Sequence, residues 1–296
     1  MNPPSSQATV MTGTVLSAAS RALAAAGIDT PAFEARVLIG HVMDINPGAV
    51  TGSGKRLMST ANARIVNHIV ALRCRRMPLN YVLRNAQFMG LRFRTDDRAL
   101  SPRQETELLA EMLMERMQRR SPVNGLLVDV GCGCGVLCLS AAHSFPALNA
   151  VGSDVSVAAL QLFHENVAAL GLAGRVQAVA GAYLDWLSRD GAELVRYLVS
   201  NPPYVRPADY ETLQPEIVRY EPRLALVSAS SDGLDAYRRI ASRLPDMTRL
   251  EVAAFEIGCD QVEVADIMRK ARPDLTWNIE KDYAGHSRIV IGDDSG

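Results

Sequence analysis

The feature that most constrains the fold of this 296-residue chain is an alternation of short apolar runs with helical patterns after Ser121-Pro122. The apolar runs occupy residues 126–130, 150–153, 176–180, 198–200, 252–257 and 289–291. Strands that alternate with helices form a parallel sheet with helices on both faces. The sequence therefore predicts an α/β fold, with ligand-binding loops at the carboxyl ends of the strands.

The N-terminal part of the chain follows a different pattern. From about residue 14 to 77 the apolar spacing is helical: Val15, Ala19 and Leu23 fall on one helical face, and Gly27 follows as a C-cap would. We find no strand-like alternation before Tyr81. This part is predicted to be a small all-helical domain.

Between the two patterns, Phe88 and Phe93 flank a glycine within a polar stretch, which indicates a short hairpin. The predicted organisation has three parts. These are a helical domain over residues 1–80, a β-hairpin linker over 81–100 and a Rossmann-like domain over 101–296.

Charge and composition narrow the possible partners. The chain has 31 Lys and Arg against 32 Asp and Glu, so it lacks the positive field that gathers nucleic acid. The most apolar window, residues 125–142, is interrupted by Asp129 and several glycines and does not suit a membrane span. Residues 1–6 lack the features of a secretory signal, and five cysteines do not indicate a disulfide framework. We expect a cytoplasmic protein with no membrane segment and no stable nucleic-acid partner.

A glycine-rich turn follows the first predicted strand, formed by Gly131, Cys132, Gly133, Cys134 and Gly135. Glycines there let the backbone approach a ligand and present N–H groups to an anion at a helix N-terminus. The spacing G-x-G-x-G differs from the G-x-G-x-x-G that binds a dinucleotide pyrophosphate. A cofactor that carries only a carboxylate and a ribose, as S-adenosylmethionine does, is the better match. An ordinary strand-to-helix turn is the alternative. The cysteines lack a fourth ligand, so no metal is expected.

Asp154 ends the second predicted strand, a little over 20 residues after the first glycine of the turn. An acidic side chain at this position can accept hydrogen bonds from two ribose hydroxyls. The alternative is an N-cap for the helix that starts near Val157. Ribose binding agrees better with the turn that precedes it.

The segment Asn201, Pro202, Pro203 and Tyr204 follows the fourth predicted strand, at the same end of the sheet as the glycine turn. The two prolines stiffen the loop and cannot donate hydrogen bonds from their backbone nitrogens. The side-chain carbonyl of Asn201 and the backbone carbonyl of Pro202 could bind both N–H groups of a planar amide or amine. Two acceptors would direct the nitrogen at a methyl donor, and Tyr204 would stack on the flat group. We therefore predict methyl transfer to a planar nitrogen.

Glu105 and Glu107 allow two interpretations. They could line the mouth of the active site. They could equally begin a helix over residues 108–117, because negative charge favours a helix N-terminus.

With these motifs the chain resembles the HemK-type glutamine methyltransferases over nearly its whole length. The motifs that carry the resemblance are Arg76-Met77-Pro78-Leu79-Asn80-Tyr81, Pro102-Arg103-Gln104-Glu105-Thr106-Glu107, the glycine turn, Asp154-Val155-Ser156, Asn201-Pro202-Pro203-Tyr204, Glu221-Pro222, Asp232-Gly233-Leu234 and Glu256-Ile257-Gly258. Members of this family methylate the side-chain amide of glutamine in class I peptide release factors, and a sister branch acts on a ribosomal protein.

The resemblance implies an S-adenosylmethionine-dependent enzyme that acts on a release factor as a monomer. By the same resemblance, residues 131–135 and Asp154 hold the cofactor, and Asn201 lies near both cofactor and substrate. Residues 201–204 hold the glutamine amide. Tyr183 stands where an aromatic residue is often found beside the adenine. The helical N-terminal domain would dock the release factor.

The chain departs from the family pattern at several positions around the transfer loop. Gln104 replaces a proline, Arg84 a glycine, Ala182 an acidic residue and Tyr197 an aspartate. These departures leave open a related enzyme that methylates a small-molecule amide, amine or guanidine. Adenine in nucleic acid is a further alternative because it too has a planar –NH2 group, and a scaffold without activity is the last.

Overall fold

The computed structural model describes residues 8–51 and 56–294. Residues 1–6, on which the expected lack of a secretory signal rests, lie outside this part. The chain forms two compact units. The helical unit comprises Met1–Arg84 and Pro215–Tyr220, and the sheet unit comprises Asn85–Gln214 and Glu221–Gly296. Over the described ranges, no helix has both the length and the apolar character to cross a membrane.

The elements are numbered in chain order. The strands are β1 (Thr9–Met11), β2 (Leu57–Ser59), β3 (Asn85–Phe88), β4 (Leu91–Arg94), β5 (Gly125–Val130), β6 (Leu148–Asp154), β7 (Val176–Ala180), β8 (Val195–Ser200), β9 (Val252–Glu256), β10 (Thr276–Lys281) and β11 (Ser287–Asp293). The α-helices are α1 (Thr12–Ala25), α2 (Pro31–Met43), α3 (Thr60–Cys74), α4 (Leu79–Leu83), α5 (Gln104–Gln118), α6 (Val136–Ser144), α7 (Val157–Ala169), α8 (Arg189–Ala192), α9 (Pro215–Tyr220), α10 (Asp235–Ala241) and α11 (Val264–Ala271).

Helices α1, α2 and α3 confirm the helical pattern predicted for the N-terminal part. Helix α2 begins with Pro31 at its first position, where the missing N–H costs nothing. Ser59 caps α3, because its side chain accepts a hydrogen bond from the backbone N–H of Asn62 at 3.1 Å. Leu23 and Leu38 are fully buried in the core that these helices share.

The prediction of an all-helical N-terminal part was wrong in one respect. Strands β1 and β2 form a small antiparallel pair, with Val10 opposite Met58. Each strand has three residues, which is too short for an alternating pattern to stand out, and the pairing joins distant parts of the sequence.

A buried ion cluster ties the helical unit together. The guanidinium of Arg73 donates to both carboxylate oxygens of Glu34, at 2.6 and 3.1 Å, and to Glu216 on α9 at 3.2 Å. Arg76 donates to the same Glu216 at 2.7 Å. Burial disfavours the charge on Glu216, yet the hydrogen bonds from Arg76 and Arg73 outweigh it and hold its pKa below the usual value. Helix α9 is therefore held in the helical unit although it follows the transfer loop in sequence.

The sheet unit contains one seven-stranded sheet in the order β10-β11-β9-β8-β5-β6-β7. Strands β7, β6, β5, β8 and β9 run parallel, as the alternating pattern predicted. The run at residues 289–291, which was expected to join the parallel sheet, lies in β11, and β11 pairs antiparallel with both β9 and β10. The predicted α/β architecture is confirmed.

The central strands of the sheet are buried on both faces, as parallel strands require. Neighbouring residues of β5 show this: Leu127 packs into one core cluster and Val128 into the other, and both are fully buried. Strand β5 has β6 on one side and β8 on the other, and the strand order reverses between them. Their adjacent carboxyl ends form the switch point at which ligands bind in such sheets.

The predicted hairpin is present as β3 and β4, joined by Met89 and Gly90 with φ of 50° and 73°. Its rings Phe88 and Phe93 meet edge to face, with centroids 6.1 Å apart, and both are buried in the core of the sheet unit. The hairpin is thus part of that unit and differs from the separate linker expected over residues 81–100.

Candidate active site

A cavity of about 380 Å³ opens at the carboxyl ends of β5, β6 and β8, within the sheet unit. Its walls come from the glycine turn, from the ends of β6 and β7, from the transfer loop and from three further segments. The lining residues include Ser101, Thr106, Gly131, Cys132, Gly133, Cys134, Asp154, Ser156, Ala182, Tyr183, Asn201, Pro202, Pro203, Pro222, Leu224, Asp235 and Arg239. Residues predicted to bind a cofactor and residues predicted to carry the transfer therefore face one space.

The glycine turn depends on glycine at both of its ends. Gly131 has φ of 72°, and a Cβ added there would meet no atom within 4 Å, so the backbone itself is open to a ligand. Gly135 has φ of 90°, and a Cβ there would come within 2.7 Å of both Leu139 and Phe163. The first glycine gives access, and the last lets the turn pack against α6 and α7. Gly135 is not among the walls of the cavity.

Asp154 joins the turn to the next strand. One carboxylate oxygen accepts from the backbone N–H of Gly133 at 3.0 Å, and the other accepts from Ser156 at 2.8 Å. Burial raises the pKa of this carboxyl, although the two backbone bonds favour the charged form. Ser156, and not Asp154, caps α7, by accepting from Ala159 at 3.2 Å. The cap alternative for Asp154 is therefore wrong.

The cysteines of the turn are protonated thiols. Burial raises the pKa of Cys134 to about 12 and also raises the pKa values of Cys132 and of Cys138 on α6 well above the ordinary thiol value. Metal ligands are thiolates, so these groups are poor ones. The structure shows them as small side chains that fill the space behind the turn.

Tyr183 forms the wall of the cavity beyond β7, with φ of 50°. Its hydroxyl donates to the Asp235 carboxylate at 3.4 Å, and the guanidinium of Arg239 lies 5.4 Å from its ring centroid. Burial and the charge of Asp235 raise the pKa of the Tyr183 hydroxyl. Ala182, which stands where the family pattern has an acidic residue, also lines the cavity. Asp235 lies in the same wall and brings a carboxylate to it.

The transfer loop leaves the sheet through a set of fixed hydrogen bonds. The Ser200 hydroxyl donates to the Val130 carbonyl at 2.6 Å, which joins β8 to β5 just before the loop. Asn201 then donates from Nδ2 to the hydroxyl oxygen of Thr106 at 3.1 Å. Within residues 8–51 and 56–294, no donor reaches the side-chain oxygen of Asn201. Asn201 thus brings a free acceptor to the wall of the cavity.

Tyr204 lies outside the walls of the cavity. Its hydroxyl donates to Glu256 at 3.2 Å, and its backbone carbonyl accepts from Gln261 at 3.0 Å. Burial raises the pKa of Glu256, while hydrogen bonds from Thr106 and Tyr204 favour its ionised form. Tyr204 anchors the end of the loop in this position, and its stacking on a substrate stays a prediction.

The structure adds three residues that the sequence did not single out: Thr106, Asp235 and Glu256. Each lies in or beside a motif that carried the family resemblance, which was the available signal. Glu105 and Glu107, for which the sequence allowed two interpretations, both lie in the first turn of α5, and neither lines the cavity. The Glu107 carboxylate also accepts from the backbone N–H of Met89 at 2.5 Å. The helix-start interpretation is confirmed.

Two family descriptions match this chain. Residues 14–83 match the PrmC N-terminal domain, and residues 99–223 match the methyltransferase small domain. The release factor glutamine methyltransferase of Moorella thermoacetica is 36% identical over 278 residues, which span 93% of this chain and 96% of that protein. Sequence similarity thus extends over both units.

Solved structures of low identity share the fold. The hMettl16 catalytic domain in complex with MAT2A 3'UTR hairpin 6 is 12% identical, with a TM-score of 0.53 over 82% of this chain and 86% of that one. The SAM-dependent methyltransferase of Agrobacterium tumefaciens is also 12% identical, with a TM-score of 0.50 over 71% of this chain and 70% of that one. The predicted class I methyltransferase fold is confirmed.

Proposed function

The chain belongs to the family of release factor glutamine methyltransferases, and we propose that its activity is methylation of a glutamine side-chain amide in a peptide chain release factor. The observation that carries this proposal is the orientation of Asn201. Its Nδ2 is engaged by Thr106, so its oxygen is the atom left to accept a hydrogen bond at the cavity wall. A primary amide has two N–H donors, which is what such an acceptor binds.

The proposed methyl donor is S-adenosylmethionine, which supplies an electrophilic methyl group on a sulfonium. Two features of the cavity fit it. The open backbone at Gly131 lets a ligand lie against the turn, with the N-terminus of α6 beside it for a carboxylate. The Asp154 carboxylate keeps acceptor capacity beyond its two backbone bonds, which suits ribose hydroxyls. Tyr183 is proposed to pack beside the adenine, and Cys132 and Cys134 to contribute backbone and side-chain surface at the turn.

The transfer residues act by binding and orienting the substrate. Asn201 Oδ1 and the Pro202 carbonyl oxygen each accept a hydrogen bond from one N–H group of the glutamine amide. These two bonds fix the orientation of the amide nitrogen toward the methyl donor. The same two acceptors draw electron density toward that nitrogen, whose lone pair is otherwise delocalised into the carbonyl. Pro203 keeps the loop rigid, so little reorganisation is needed when substrate arrives. The proton leaves after the C–N bond forms, and no separate base is assigned.

The helical unit is proposed to bind the release factor. Among its described residues it exposes four large apolar side chains, and two of them, Met11 and Leu57, lie opposite each other in the β1–β2 pair, where a protein partner would cover them. The four are Met11, Phe33, Leu57 and Ile65. Because translation termination takes place in the cytoplasm, we propose that the enzyme acts there, as a monomer.

The direct test is methylation of a purified release factor with the full chain and S-adenosylmethionine. Mass spectrometry of the glutamine-containing loop peptide should show one added methyl group on that glutamine. The Asn201→Ala variant, which should still bind the cofactor, is the matched negative control. If the wild-type chain binds the cofactor but leaves the release factor unmodified, the substrate assignment is wrong.

A further inference from the structure

A buried carboxylate lies behind the transfer loop, separated from the cavity by the side chain of Thr106. Glu256 ends β9 and is 1% exposed. One of its oxygens accepts from the Thr106 hydroxyl at 2.7 Å, and the other accepts from the Tyr204 hydroxyl at 3.2 Å. Thr106 is itself buried, in the first turn of α5. Three elements that are distant in sequence therefore meet at this carboxylate.

The two hydrogen bonds that link Asn201 to Glu256 through Thr106 can have only one donor–acceptor order. A carboxylate can accept hydrogen bonds but cannot donate them, so the single hydroxyl hydrogen of Thr106 is committed to Glu256. The Thr106 oxygen then faces Asn201 with lone pairs alone, and it accepts from Nδ2 at 3.1 Å. The opposite orientation of the Asn201 amide would set an oxygen against an oxygen with no hydrogen between them.

That order matters because a side-chain amide has nearly the same shape in its two orientations. In one, Asn201 presents an acceptor to the cavity. In the other it presents N–H donors, which would repel the N–H groups of a substrate amide. Thr106 determines the orientation of the Asn201 amide, because its oxygen can only accept a hydrogen bond from that side chain. It can only accept because its hydroxyl hydrogen is donated to Glu256.

We propose that Thr106 and Glu256 are positioning residues that fix the Asn201 amide with its oxygen toward the substrate. This inference rests on the proposed function for its kinetic consequence. The orientation of Asn201 itself is independent of which substrate the enzyme uses. The two claims can therefore be tested separately.

The kinetic test compares Thr106→Val, which keeps the shape and loses the hydroxyl, with Thr106→Ser, which keeps the hydroxyl. Thr106→Val should lower kcat by about tenfold to a hundredfold, as expected when a preorganised polar group loses its orientation. The KM for the release factor and the Kd for S-adenosylmethionine should change by less than about twofold, because no ground-state contact is removed. Thr106→Ser should restore kcat to near the wild-type value.

A matched control is Ser140→Ala on α6. Ser140 is also fully buried, but its hydroxyl has no hydrogen-bond partner among the described residues. Removing it should leave kcat unchanged. If Ser140→Ala lowers kcat as much as Thr106→Val does, loss of a buried hydroxyl acts through general packing, and the proposal is overturned.

A double-mutant cycle separates positioning from a structural role. In the Asn201→Ala background there is no amide to orient, so adding Thr106→Val should cost less than about twofold in single-turnover rate. A purely structural role for Thr106 would cost the same factor in both backgrounds. That second result would refute the proposal.

An NMR measurement keeps the test independent of the substrate. With asparagine labelled by ¹⁵N, the Asn201 side-chain NH2 should show one hydrogen protected from exchange in the wild type and in Thr106→Ser. In Thr106→Val this protection should disappear. Protection that persists in Thr106→Val would refute the positioning role, whereas an unmodified release factor with the expected protection pattern would refute only the proposed function.

Discussion

The most informative single substitution is Asn201→Ala, because the structure separates its effect on folding from its effect on catalysis. Within the described residues the side chain makes one hydrogen bond, to Thr106 at 3.1 Å. Losing one such bond costs about 0.5 to 1.5 kcal/mol of unfolding free energy. For a chain of this size that lowers Tm by roughly 1 to 3 °C.

The effect on catalysis should be much larger. Removing one preorganised polar group that stabilises a transition state lowers kcat by about a hundredfold to a thousandfold. This corresponds to about 3 to 4 kcal/mol of barrier, well above the stability that the folded chain loses. The variant should therefore be folded, able to bind cofactor and nearly inactive.

The assay pairs thermal unfolding with single-turnover methylation of the release factor, for wild type and variant at the same temperature. Asn149→Ala is the matched control, because Asn149 is exposed on β6 outside the cavity. It should change neither Tm nor rate. The reasoning fails if Asn201→Ala keeps more than about a third of the wild-type rate, since an essential acceptor cannot be lost at so small a cost. It also fails if the variant is unfolded at the assay temperature.

Three further predictions concern the cofactor, the pH dependence and the helical unit. Asp154→Ala should weaken S-adenosylmethionine binding by about tenfold or more in titration calorimetry, because charged acceptors contribute about 1.5 to 3 kcal/mol; an unchanged Kd would contradict ribose binding. Burial raises the pKa of Asp129 to about 7 in the folded chain. The free energy of unfolding is therefore highest while this carboxyl is protonated in both states, below about pH 4, and it falls as pH rises from about 4 to 7. Asp129→Asn should remove this loss of stability. The unfolding free energies of wild type and variant, measured in urea, should therefore converge at low pH and differ above pH 7. A difference that is the same at every pH would contradict the prediction. Arg73→Ala should cost about 3 to 5 kcal/mol in the same assay, because it strips the buried Glu34 of its cation; a loss under about 1 kcal/mol would contradict it.

The fold was predictable from sequence wherever an element carries a strong pattern of its own. The parallel strands are continuous apolar runs because both of their faces are buried, and each was found. Strand β10 was missed because it lies at the edge of the sheet, where Trp277 is the one residue of the strand that is buried. Its other residues are polar or exposed, so the segment resembles a loop. Strands β1 and β2 were missed because a three-residue strand is defined by its partner and not by its own sequence.

In the candidate site, too, some residues could be predicted from local sequence patterns and others could not. The glycine turn, Asp154 and Asn201 could be predicted because each follows a strand, and the carboxyl ends of neighbouring parallel strands meet at one edge of the sheet. Thr106 and Glu256 are 150 residues apart, and their contact depends on α5 packing beside β9. No local pattern indicates such a pair. The sequence thus indicates residues that line the cavity, whereas the buried groups that hold them in place can be identified only from the packed structure.

The departures from the family pattern can be assigned to particular structural positions, and this decides how far they bear on function. Arg84 ends α4 with φ of 53°, the left-handed region that glycine adopts without strain, so the substitution costs backbone energy at an exposed turn. Gln104 is the first residue of α5, where proline is favoured for its fixed φ and nothing more. Tyr197 is fully buried within β8, at a position that faces the core. Ala182 alone faces the cavity, and Asp235 provides a carboxylate in the same wall. Three departures therefore lie away from the cavity and the fourth lies in a wall that Asp235 shares, so none of the four alters the transfer loop itself.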